Sequence, residues 1–142
     1  SCSSFVLDLR PALRPWCETA YSACDAFSAL MEMDMRSAQN MFRFIRTLKS
    51  EDLDLEKMIY VLNRAPGMFD LSGKSRVQRL AESLAVEFTH LLPDGGKDVV
   101  AACDQGTTLA EAVRSSALRK EIVKMAQNIV TIGTEAQQEK SA

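Results

Sequence analysis

Met58-Ile59-Tyr60-Val61-Leu62-Asn63-Arg64 is the stretch whose reading decides the fold. An unbroken apolar run of strand length, with aromatic and β-branched residues inside it, suits a strand covered on both faces. It follows the acidic turn Glu51-Asp52-Leu53-Asp54 and stops at two polar residues. Working outward, similar runs recur. Phe5 to Leu9 reads as a strand that ends near a carboxylate, Asp8, and Phe27 to Met33 as a second strand closed by Asp34. Glu87 to Leu92 is a fourth, stopped by Pro93-Asp94-Gly95-Gly96.

Helical patterns separate these runs. Trp16 to Cys24 follows Pro15, a residue suited to a first helical turn. Asp34 can cap a helix from Met35 to about Lys49, with Met41, Ile45 and Leu48 at helical spacing. A Pro/Gly loop, Ala65 to Gly73, leads to a helix from about Ser75 to Leu84. A short helix spans about Asp98 to Cys103, and a last one runs from about Ser116 to Val130, with Leu118, Ile122, Met125 and Ile129 in register as core packing. Ser115 and Ser116 are placed to cap it. Residues 134–142 form a polar tail expected to fray, beyond a domain of residues 1–133. Strands alternating with helices predict an α/β fold: a parallel sheet of about four strands, flanked by helices on both faces. Ligands of such sheets bind at the carboxyl ends of the strands, here Asp8, Asp34, Asn63-Arg64 and Pro93-Asp94.

Composition narrows the function. The chain has 142 residues, 46% apolar and 25% charged, with a net charge of −2. That is the size and balance of one folded domain and argues against a general nucleic-acid binder. No run approaches about 18 uninterrupted apolar residues, so no transmembrane segment is expected. No export signal is legible either, so a cytoplasmic setting is expected. Cys2, Cys17, Cys24 and Cys103 include no C-x-x-C pair, and the single histidine, His90, cannot complete an ordinary zinc site. The thiols read as structural, and His90, in an apolar run, as a hydrogen-bonded structural residue. Gly73-Lys74-Ser75 follows a strand and opens a helix, as a phosphate-binding loop does. Met68 stands where that loop needs a glycine, so a plain helix start is the expected reading.

Several blocks together carry a resemblance. They are Phe5 to Trp16; Ala23-Cys24-Asp25 with Met31 to Asn40; Val61-Leu62-Asn63-Arg64; and Leu92-Pro93-Asp94 with Ala102 to Gly106 and Leu109. In this order and spacing they resemble the C-terminal half of the CpaE/TadZ pilus-assembly ATPases, relatives of the MinD/ParA group of P-loop proteins. The resemblance covers about residues 5 to 130. It implies a partial P-loop-type, Rossmann-like sheet whose phosphate-gripping half would precede residue 1. It also implies ATP and Mg²⁺ as cofactors of the full-length protein, none being expected in this chain, which lacks a Walker A loop and should not hydrolyse ATP alone. Asp8 would act as the catalytic switch carboxylate and hold Mg²⁺ through water. Asn63 and Arg64 would meet the adenine edge, and Pro93 and Asp94 would form the other wall, with the helix ending at Gln105-Gly106 behind.

Departures from the family pattern are Asp104 for its Asn, Gly95-Gly96 for a more rigid pair, and Thr108 for a proline. The implied function is a scaffold or localiser in type IVb (Flp, tight-adherence) pilus assembly. Its implied partners are a second copy of itself and the pilus-secretion machinery, with no specific nucleic acid. Its implied place is cytoplasmic, peripheral at the inner membrane or a cell pole. The alternative is an active MinD/ParA-type Mg-ATPase in partition or cell-division positioning. Membrane or DNA targeting by the last helix, through Arg114, Arg119, Lys120 and Lys124, is disfavoured because its apolar face carries no aromatic. Met31, Met33, Met35 and Met41 form a cluster that reads as core lining more readily than as a partner surface.

Overall fold

A computed structural model describes residues 15–141. The expected strand Phe5–Leu9, and with it Asp8, lies outside the described residues. Three strands, β1 (Phe27–Met31), β2 (Met58–Ala65) and β3 (Phe88–Pro93), form a parallel sheet in the order β1-β2-β3. Helix α1 (Pro15–Ala23) precedes β1, α2 (Met35–Ser50) links β1 to β2, and α3 (Leu71–Leu84) links β2 to β3. Three more follow β3: α4 (Gly96–Gln105), α5 (Leu109–Ala112) and α6 (Ala117–Ser141). The α/β class and the parallel sheet flanked by helices stand as expected.

Strand β2 explains why the run is continuously apolar. Its side chains alternate between two separate cores. Met58 and Leu62 enter a cluster with Tyr21 of α1, Met41, Ile45 and Leu48 of α2, and Leu84 of α3. Ile59 and Val61 enter another, closed by Leu118, Met125, Ile129 and Ile132 of α6. Val61 and Leu62 are fully buried, one on each side. The two covers differ in reach: Leu30 of β1, opposite Val61, remains exposed on the α6 side.

A polar latch ties α1 to the turn before β2. The Tyr21 hydroxyl donates to the Asp54 carbonyl. The Lys57 ammonium lies 4.4 Å from the centre of the Tyr21 ring and donates to the Tyr21 carbonyl and, at 3.4 Å, to that of Cys24. A cation there satisfies carbonyls that the helix end leaves without partners. Tyr21, Phe27 and Phe44 touch in series, Tyr21 tilted against Phe27 and Phe27 stacked on Phe44, with ring centres 5.1 and 5.5 Å apart.

Several boundaries differ from those expected. Helix α3 starts at Leu71, not near Ser75, because Asp70 is its cap: the Asp70 carboxylate accepts the Gly73 N–H at 2.7 Å. Gly73 is therefore an interior helical residue rather than a loop end. A methyl group added there would stand 2.3 Å from Cβ of Pro66. At an exposed helical site, Gly→Ala stabilises by about 1 kcal/mol. Here the contact reverses the sign, and Gly73→Ala should lower stability by about 1–3 kcal/mol in urea unfolding. A stabilised variant would show that α3 can move off Pro66.

Helix α5 was not expected, although Thr108 and Glu111 form a complete capping box. Helix α6 continues through the tail expected to fray, since residues 134–141 are mostly Glu, Gln, Ala and Lys with nothing to end a helix. Ile122, expected in its core stripe, is exposed, and Ile132 is packed instead. Ser116 does cap this helix, its hydroxyl accepting from the Arg119 N–H at 3.5 Å. The methionine cluster divides: Met31 and Met41 are buried, Met33 packs against them, and Met35 stands exposed.

Candidate functional site

The carboxyl ends of the strands form one rim. Asp34 is occupied there as the cap of α2, its carboxylate accepting the Ser37 N–H at 2.8 Å and the Ser37 hydroxyl at 2.7 Å. These bonds, the backbone one first, hold its pKa below the ordinary carboxylate value. Next to it, β2 departs from regular pairing: Leu62 is opposite Leu91, but Ala65 is opposite Pro93. Three steps along β2 thus span two along β3, the mark of a bulge at Asn63-Arg64. Arg64 takes a left-handed backbone, φ 51°, which costs a non-glycine residue of order 1–3 kcal/mol.

The bulge presents Asn63 and Arg64 to an open cleft of about 650 Å³. Its opposite wall is Asp94, Gly95 and the α4 residues Gly96, Lys97, Val100 and Asp104, with Leu118 of α6 below. Gly95 is needed for this wall. A Cβ there would come within 2.2 Å of Val99 and 2.7 Å of Leu118, so the chain approaches α4 and α6 closely at this position. Asp94 holds the turn by accepting the Gly96 N–H at 2.8 Å.

Of the residues expected at the site, Asn63, Arg64 and Asp94 meet in this one cleft. Pro93 ends β3 beside Ala65 and is not among the lining residues; the wall it was expected to form is made by its successor and by α4. Asp8 lies outside the described residues. The helix ending at Gln105-Gly106, expected behind the pocket, is α4 and supplies much of its wall.

One participant had no assigned role. Glu32, just past β1, accepts from Nδ2 of Asn63 at 3.3 Å and lies 3.7 Å from the Arg64 guanidinium. A carboxylate is an acceptor only, so it must meet the amide nitrogen of Asn63. The amide oxygen and the second amide N–H are then what Asn63 can offer a ligand. The cleft thus offers hydrogen-bonding groups on Asn63 and a guanidinium on Arg64 beside Glu32. Only the cross-strand contact reveals Glu32, since it is remote from Asn63 in sequence.

Elsewhere the chemistry is quiet. His90 Nε2 lies 3.4 Å from Oδ1 of Asn128, the structural role expected of it. Cys24 and Cys103 are free thiols, and burial pushes the Cys24 pKa up, away from thiolate chemistry. At Gly73 the N–H that a phosphate would need is taken by Asp70. Among the described residues no group of three or more His, Cys, Asp or Glu side chains is arranged to hold a metal. Among them, too, no helix is long and apolar enough to cross a membrane.

No family model, curated protein or solved structure matches this chain.

Proposed function

We propose that the chain is the C-terminal part of a MinD/ParA-like, nucleotide-responsive domain of the CpaE/TadZ kind. It would act as a scaffold that places pilus-assembly components, with a second copy and the secretion machinery as its partners. The observation that supports this reading is the meeting of Asn63, Arg64 and Asp94 in one cleft at the carboxyl rim of a parallel sheet. The family resemblance assigns those residues to an adenine pocket, and ligands of such sheets bind at that rim. In this reading the Asn63 amide oxygen accepts from the amino group of adenine, Arg64 covers the base and α4 closes the far side. ATP and Mg²⁺ would be held jointly with the P-loop half and Asp8 of the full-length protein.

Titration of the full-length protein with ATP and Mg²⁺ tests this. Asn63→Ala should weaken ATP binding roughly three- to tenfold, the worth of one neutral hydrogen bond. GTP, which presents a carbonyl where adenine has its amino group, should bind less tightly than ATP. Unchanged ATP affinity in the variant would remove Asn63 from the pocket, and no ATP binding by the parent protein would remove the proposal.

A further inference from the structure

The loop between β2 and α3 carries an apolar crest that the cleft does not use. Phe69 is 96% exposed, Met68 77% and Leu71 76%, three large apolar side chains within four positions. Single exposed apolar residues are common, but a contiguous group is a mark of an interaction surface. The crest is built and held in place. The Asp70 N–H donates to the Gly67 carbonyl at 3.0 Å, Asp70 caps α3 through Gly73, and its carboxylate lies 3.9 Å from the Arg76 guanidinium. The side chains therefore project from an ordered turn.

Charge selects the partner. Arg64, Lys74, Arg76 and Arg79 border the crest in sequence, against Asp70 alone. With Glu32, which lies 3.7 Å from the Arg64 guanidinium, included, four cations stand against two anions, a local +2 on a chain of net −2. Arg64 is paired with Glu32 and Arg76 with Asp70, which leaves Lys74 and Arg79 to carry that surplus. Apolar side chains projecting from a basic collar match an anionic lipid surface, where rings enter the headgroup region and cations meet phosphates. We infer that Met68, Phe69 and Leu71 form a membrane-contacting crest that binds anionic bilayers peripherally. The inference is independent of the nucleotide reading.

Co-sedimentation of the 142-residue chain with vesicles of phosphatidylglycerol and phosphatidylcholine tests it. Binding should appear on the mixed vesicles, fade on phosphatidylcholine alone and weaken with added salt. Phe69→Ser should reduce it about tenfold. Its circular dichroism and Tm should stay unchanged, since the ring touches almost nothing. Lys74→Glu with Arg76→Glu should reduce it comparably. Phe69→Trp should retain binding, with indole emission shifting to the blue only when anionic vesicles are present. Equal binding by Phe69→Ser, equal binding to neutral vesicles, or no binding at all would overturn the inference. So would a lipid-free self-association that Phe69→Ser abolishes, which would make the crest a contact between copies.

Discussion

Leu62→Ala should destabilise the protein by about 2–5 kcal/mol, lowering Tm by about 10 °C, in urea and thermal unfolding. Leu62 has no exposed surface and stands at the centre of the cluster that joins α1, α2 and α3 to the sheet. Removing its methyl groups takes away both their transfer from water and the contacts of everything packed around them. The space left cannot collapse easily, because β2 is the middle strand, held on both sides by pairing to β1 and β3. The matching control is Leu91→Ala. Leu91 pairs with Leu62 in register, yet it is exposed, and its truncation should leave Tm almost unchanged. Similar losses at the two positions would mean that Leu62 is not interior.

Tyr21→Ala should cost about 3–5 kcal/mol, as removal of a buried aromatic does. Tyr21 is buried, tilted against the Phe27 ring, covered by Lys57 and bonded to the Asp54 carbonyl. Tyr21→Phe separates the terms. It keeps the ring and deserts the carbonyl, so about 1 kcal/mol should go. The phenol also marks pH dependence. Burial first, then the negative charge of Asp54, pushes its pKa from 10.0 up to about 12. An unfolded chain ionises this group near pH 10 while the folded one keeps the proton. Stability should therefore be unaffected by Tyr21 below pH 10 and decline between about 10 and 12. Tyr21→Phe should remove that part of the alkaline loss. An alkaline limb identical in the two proteins would show that the hydroxyl is solvated.

These two residues also show what was legible beforehand. The core strand was plain because β2 sits between two covers, and burial on both sides writes itself as an unbroken apolar run. Tyr21 had no such signal: its value comes from Asp54 and Lys57, far along the chain. Helix positions were read well where capping was local, as at Asp34 and Ser116, and badly where a glycine masked it, as at Asp70. Three candidate site residues reached one cleft because strand ends of a parallel sheet share an edge. Glu32 stayed hidden for the opposite reason, since its contacts cross between strands and leave no spacing to find.

The kink at Asn63-Arg64 has one more bearing. In an unbroken ladder the phase of every outward side chain is locked to that of the residues in the interior, so a change at the rim would be felt throughout. An extra residue and a left-handed step reset that phase after Leu62. The carboxyl end of the central strand is thereby decoupled from its load of apolar packing, and its chemistry can be rewritten residue by residue while the scaffold beneath keeps its own pattern.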